Sequence, residues 1–141
     1  MQTEIIPSRT FTLSEPAPLF KPFGDRAGYV LAGDTREVQS GPFTIRATIK
    51  DDDSTRPTDF DCYAPEHIAA WERGDWSYIG IVLSVHLDDL TLDDHAASVW
   101  GVDCNLDGEN TYLADVANDL LPEAIEQADK RRAELIEKLT A

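Results

Sequence analysis

Residues Trp76 to Leu87 limit what this chain can fold into more than any other stretch. Ile79, Ile81, Leu83, Val85 and Leu87 alternate with Tyr78, Gly80, Val82, Ser84 and His86. Period-two alternation of this length reads as a β-strand, because successive side chains leave a strand on opposite faces. One face is wholly aliphatic and belongs to a core. The other is partly aromatic, so something is expected to cover part of it.

A second strand is expected over Phe43 to Lys50. There Phe43, Ile45, Ala47 and Ile49 alternate with Thr44, Arg46, Thr48 and Lys50, which gives one buried and one wet face. Asp51, Asp52 and Asp53 end it, since aspartates favour turn geometry. Ala96 to Cys104 reads as a third strand, with Ser98, Trp100 and Val102 on one side and Ala97, Val99 and Asp103 on the other. Asp88 to Asp94 is expected to be an acidic turn region joining the last two strands into a hairpin.

Two helical stretches follow from other signals. Pro65 suits a first helical position and Gly74 the residue just past a helix end, which predicts a short helix over 65–73. From Thr111 to Leu139, Leu113, Val116, Ala117, Leu120, Leu121, Ala124, Ile125, Ala128, Leu135, Ile136 and Leu139 recur at spacings of three and four. That is one apolar helical stripe, with Asn110 or Thr111 as its cap. Pro122 removes a backbone donor inside the pattern and predicts a kink or two abutting helices. The stripe thins after Ala128, so the tail is expected to project or fray.

The first 40 residues are broken by Pro7, Pro16, Pro18 and Pro22 and by Gly24, Gly28 and Gly33. Short strands are expected near Thr10 to Leu13 and Gly28 to Ala32, with ordered loop elsewhere. The expectation is therefore a single α+β domain over 1–141, with a loop-rich part over 1–40 and the sheet and helix over 41–141. An antiparallel sheet of three to five strands would carry the long C-terminal helix on one face.

Charge separates the function classes. The net charge is −15, and it is unevenly spread. Residues 51–129 hold 20 acids against Arg56 and Arg73, while 1–50 and 130–141 are each slightly basic. A field of this sign repels nucleic acid and anionic membranes and attracts basic proteins. The start of the chain has no long apolar run and no stretch is long enough to span a bilayer, so a cytoplasmic protein with no membrane partner is expected. Cys62 and Cys104 are expected to be free thiols in that compartment.

Metal, nucleophile and nucleotide chemistry find little support. Asp103-Cys104-Asn105-Leu106-Asp107-Gly108 matches the first half of a calcium loop. The twelfth position, however, is Ala114 where a bidentate glutamate is needed. A polar strand-to-helix turn is the preferred reading, and Asp103, Asn105 and Asp107 stay as a candidate cation site and the basis of a calcium-stabilised alternative. His67, His86, His95, Cys62 and Cys104 lack zinc spacing. No phosphate-binding glycine loop is present. No cofactor and no catalytic residue is assigned. A small enzyme of unrecognised type would require a pocket holding His86 or His95 beside a perturbed carboxylate.

The acidic surface is the main candidate. Asp51, Asp52, Asp53, Asp59 and Asp61 form one cluster, Asp88, Asp89, Asp93 and Asp94 a second, and Asp115, Asp119 and Glu123 are spaced by four along the helix, with Glu126 following. Nine of them carry the reading: Asp51, Asp52, Asp53, Asp88, Asp89, Asp93, Asp94, Asp115 and Asp119. Carboxylates at that helical spacing stand about 5–6 Å apart, within a factor of two of the phosphate spacing along a DNA strand. The nine aspartates are read as a partner-binding surface that imitates nucleic acid, with a merely solubilising surface as the plain alternative. Trp71, Trp76 and Trp100 are read first as core side chains and second as a protein-binding hot spot.

Trp71-Glu72-Arg73-Gly74-Asp75-Trp76-Ser77-Tyr78-Ile79-Gly80-Ile81 is followed by Ala97-Ser98-Val99-Trp100-Gly101-Val102-Asp103. Tyr112-Leu113 and Leu121-Pro122-Glu123-Ala124 come after. This order, over about the second half of the chain, resembles small acidic proteins of phages, plasmids and other mobile elements. Some acidic proteins of such elements imitate DNA to block restriction or CRISPR complexes. The resemblance therefore implies a non-enzymatic inhibitor of a basic nucleic-acid-binding partner, and assigns no residue to that role.

Overall fold

The computed structural model describes residues 19–24 and 28–140. Four strands form one antiparallel sheet in sequence order: β1 (Thr35–Ser40), β2 (Phe43–Asp51), β3 (Ser77–Leu87) and β4 (Leu90–Cys104). A short helix, α1 (Pro65–Glu72), lies in the connection from β2 to β3. Two helices, α2 (Tyr112–Asp119) and α3 (Leu121–Thr140), follow the sheet. The fold is α+β, and the antiparallel sheet, short helix and bent C-terminal helix agree with the sequence reading, while β1 lies in a stretch expected to be loop.

The alternations of β2 and β3 do what their period dictates. Ile45, Ala47, Ile49, Ile81, Leu83 and Val85 have no exposed surface. Burying each of the larger ones contributes roughly 1.5–3 kcal/mol. Leu113, Ala117, Leu121, Ala124 and Ala128 of α2 and α3 join the same cluster. Three of these five are alanines, which let the helices lie close to the sheet.

The helix breaks where proline requires it. α2 ends at Asp119, Leu120 caps it, and α3 begins at Leu121 with Pro122 in its first turn, where no donor is needed. α3 stays helical to Thr140, although no residue after Ala128 is buried. At the α2 start, Thr111 occupies the cap position without a side-chain capping bond, and Asn110 is used elsewhere. The end of α1 follows the glycine cue: Gly74 has φ +85°, and its N–H bonds to Trp71 O while Asp75 N–H bonds to Ala70 O. That pair of bonds is the Schellman cap.

Several boundaries differ from expectation. The turn between β3 and β4 is only Asp88 and Asp89, with Asp88 at φ 51°, and β4 already starts at Leu90. Aspartate tolerates the left-handed conformation that a two-residue hairpin needs. The segment near Gly28 to Ala32 contributes a single bridge at Tyr29, and the regular strand is β1. The expected strand near Thr10 to Leu13 lies outside the described residues.

The early chain is nonetheless part of the core. Phe20, Phe23 and Val30 are buried. Phe20 N–H donates to Asn118 Oδ1 at 2.7 Å. Asn105 and Asn110 stitch the 28–30 segment to the turn after β4. Asn105 Oδ1 accepts from Val30 N–H at 3.0 Å, and Asn105 Nδ2 donates to Val30 O at 2.9 Å. Asn110 Nδ2 donates to Gly28 O at 2.8 Å, and Asn110 Oδ1 accepts from Asn105 N–H at 2.7 Å. Asn110 is the buried polar residue of the core region, 5% exposed. Asn110→Ala would strand two backbone groups, and should lower the unfolding free energy by about 1–3 kcal/mol in urea titrations.

Candidate functional site

Three register shifts along β4 set which side chains meet at each end of the sheet. Ile79 pairs with Val102 and Ile81 with Val99, so Gly80 faces the two residues Trp100 and Gly101. Gly101 has φ +72°, a backbone that glycine adopts freely. The extra residue reverses the alternation beyond it. Val99 and Val102 both pack on the core, and Trp100 and Asp103 both face the other way. The simple alternation expected for Ala96 to Cys104 is corrected here.

On that outer face Trp100 lies against Gly80. A Cβ on Gly80 would come within 2.1 Å of Trp100 Cε3. A glycine inside a strand marks such a close approach. Trp100 is 47% exposed, whereas Trp76 is 2% exposed. The core reading therefore holds for Trp76, fails for Trp100, and leaves Trp71 half-buried.

The β2–β3 connection covers the neighbouring part of the outer face with rings. Tyr63 stacks on Trp76 at 5.4 Å, Trp76 meets Tyr78 edge-on at 5.1 Å, and Phe60 rests on Tyr78 at 6.1 Å. Trp76 Nε1 donates to His67 O at 2.8 Å, tying α1 to β3. Asp103 collects hydroxyls: Tyr63 donates to its Oδ2 at 3.0 Å, and Tyr112 donates to its Oδ1 and its main-chain oxygen. Burial, then the bonds to Asp103, raise the phenol pKa of Tyr112; Tyr63 is raised in the same way, with Tyr78 adding to it. This cluster holds the connection, the sheet end and α2 together. The period-two reading could not locate it, because the bulge turned Asp103 around.

The nine aspartates do not form one patch. Asp51, Asp52 and Asp53 stand where β2 ends, opposite Ile79. Asp88 and Asp89 stand at the other end of β3, which ends at Leu87, eight residues and about 26 Å from Ile79. Asp52 is a structural acceptor. It takes bonds from Ser54 N–H, Ser54 Oγ, Thr55 Oγ1 and Gly101 N–H at 2.8–3.0 Å. Its burial acts to raise its pKa, and these donors outweigh that and lower it. Asp93, paired with Val85 between two register shifts, reaches toward α3. Its Oδ2 accepts from Gln127 Nε2 at 3.0 Å and pairs with Arg131 Nε at 3.3 Å, and His95 N–H bonds to its Oδ1. Asp94, Asp115 and Asp119 are exposed.

One end of the fold still gathers acid. Asp51, Asp53, Asp59, Asp61, Glu66, Glu72 and Asp75 in the β2–β3 region, with Asp107 and Glu109 in the turn after β4, are exposed. The cations among the same segments are Lys50, Arg56 and Arg73, and Arg73 is paired with Asp75 at 2.9 Å. Glu66, Glu72 and Asp75 belong to this group although the sequence clusters do not contain them.

Between α1 and the turn at 105–108 lies a cleft of about 560 Å³, lined by Glu66, His67, Arg73, Asp75, Trp76 and Asp107 among others. His67 Nε2 is 3.1 Å from Asp107 Oδ2. No serine, threonine or cysteine lines the cleft. His86 and His95 lie elsewhere. His86 contacts Ser84 and Thr91, and His95 contacts Ser98. Burial and the Arg46 guanidinium hold His86 below the usual imidazole range.

The calcium-loop residues diverge: Asp103 serves tyrosines, Asn105 the 28–30 backbone, and Asp107 His67. Among the described residues no group of three or more His, Cys, Asp or Glu side chains could hold a metal ion. Cys62 and Cys104 are free, and burial pushes the Cys104 thiol up to about 12, which keeps it protonated. No described helix is long and apolar enough to cross a membrane. Comparison with protein-family models, curated proteins and solved structures gave no match.

Two outcomes follow from this geometry. Gly80→Ala should drive Trp100 off the sheet, shift indole emission, and cost about 1–3 kcal/mol of stability in chemical denaturation. Asp93 has a lowered pKa: burial opposes the shift, and the His95, Gln127 and Arg131 donors override it. Its contribution is therefore present above the unfolded value near 3.9 and lost as pH falls through the lower folded value. Asp93→Asn should cost about 1 kcal/mol at pH 7, and the difference from the parent should close in melts taken toward pH 3.

Proposed function

We propose that this protein is a non-enzymatic acidic binding protein whose working surface is the end of the sheet where β2 leaves and β4 finishes. The observation that carries this reading is the excess of exposed carboxylates there over three cations. Clustered like charges cost stability, and a basic partner would offset that cost. The partner it fits is a basic nucleic-acid-binding protein or complex, met in the groove that otherwise holds a phosphate backbone. The resemblance to small acidic proteins of mobile elements favours a host defence complex, of the restriction or CRISPR kind, as that partner.

The original nine-residue surface narrows under this reading. Asp51 and Asp53 stay in it. Asp52 and Asp93 serve the fold, and Asp88, Asp89 and Asp94 lie at the far end. Asp115 and Asp119, one turn apart on α2, extend the acidic surface along the helix.

The test is capture from host lysate on the full chain, with the bound proteins weighed by mass spectrometry. Capture should fall steeply between about 0.02 M and about 0.3 M salt, as screening shortens. Added duplex DNA should compete for the captured protein. Asp51→Asn, Asp53→Asn and Asp61→Asn together should reduce capture on the order of tenfold. Capture indifferent to salt, to DNA and to the triple variant would refute the reading.

A further inference from the structure

The outer sheet face carries two exposed rings, and both stand in the acidic end. Trp100 is held flat over Gly80, and Phe60 rests on Tyr78 at 6.1 Å. Tyr78 and Gly80 are two residues apart on the same face of β3, about 6–7 Å. Each ring is 47% exposed. Neither is a loose surface side chain. Trp100 has a close backbone approach beneath it, and Phe60 packs against Tyr63 as well as Tyr78.

Carboxylates neighbour both rings along the chain. Gly101, next to Trp100, gives its N–H to Asp52 at 2.8 Å, so the turn carrying Asp52 and Asp53 is tied to the residue that follows Trp100. Asp59 and Asp61 flank Phe60 in sequence, and both are exposed. A flat π surface with carboxylates at its edge suits one cation above others. The guanidinium is planar, weakly hydrated and able to stack while its N–H groups reach carboxylates. The lysine ammonium is compact and strongly hydrated, and gains less from such a surface. Anionic ligands are repelled by the same carboxylates.

We infer that the Trp100–Phe60 end of the outer sheet face is the seat of an arginine-rich segment of the partner, with a guanidinium stacked on Trp100. This rests on the acidic docking surface proposed above, and adds to it a choice of arginine over lysine and a fixed aromatic anchor.

The probes are octa-arginine and octa-lysine, equal in charge, titrated calorimetrically into the full-length protein. The parent should bind octa-arginine more tightly, by about two- to five-fold for each stacked guanidinium. Trp100→Leu keeps an apolar cover over Gly80 without a ring. It should bring the two affinities together and leave octa-lysine unchanged, and Trp100→Phe should restore part of the preference. A melting curve of Trp100→Leu close to the parent's confirms that the sheet is intact. The Asp51, Asp53 and Asp61 triple variant should weaken both peptides and keep their ratio. Equal affinities in the parent, or a preference that survives Trp100→Leu, overturn the arginine seat and leave the docking surface standing. If the triple variant binds both peptides as tightly as the parent, the docking surface falls and the seat with it.

Discussion

The contact of Trp100 with Gly80 organises the molecule more than its size suggests. An indole on the α-carbon of a central strand is possible only where that strand has no side chain. It brings an extra residue into β4, and Gly101 absorbs it with a positive φ. From that point every residue of β4 faces the opposite way. Val102 turns inward to the core, Asp103 outward to the tyrosines, and Cys104 inward. The connection between β2 and β3 is then held by what β4 presents, Gly101 N–H to Asp52 and Asp103 to Tyr63, and by the stacking of its own Tyr63 on Trp76.

Much of the fold is legible in the sequence because its periods are clean. β2 and β3 each carry four or more apolar side chains on one face, and the C-terminal stripe runs over eight turns. Pro65, Gly74 and Pro122 mark ends and breaks by removing a donor or freeing φ. β1 is illegible for a physical reason. It is an edge strand with one buried residue, Val38, so there is no alternation to see. Its trace is the Gly41-Pro42 pair: Gly41 has φ 58°, which suits a two-residue hairpin whose first position needs a positive φ.

The candidate surface was less legible, because charge along a chain does not say who sits opposite. Asp93 looked like its neighbours Asp88, Asp89 and Asp94, yet its partners are 34 and 38 residues away on α3. Asp52 looked like Asp51 and Asp53, yet it organises a turn and receives a bond from Gly101, 49 residues on. The calcium-like spacing of Asp103, Asn105 and Asp107 failed similarly. Alternate positions converge on a cation only if the loop closes around it, and here each side chain is drawn to a different neighbour.

The uneven distribution of charge has a mechanical corollary. Gln127 and Arg131 hold α3 against Asp93, so the basic tail from Lys130 onward lies toward the β3–β4 hairpin, away from the acidic end. At the hairpin end the tail's bases stand beside Asp88, Asp89 and Asp94, whereas at the other end three cations face many more carboxylates, so the two ends differ in charge and the molecule has an electric moment along the strands. Approaching a positively charged body, it would turn in the field before touching, like a compass needle, and arrive acidic end first. Selectivity would then begin with orientation, ahead of any contact between side chains.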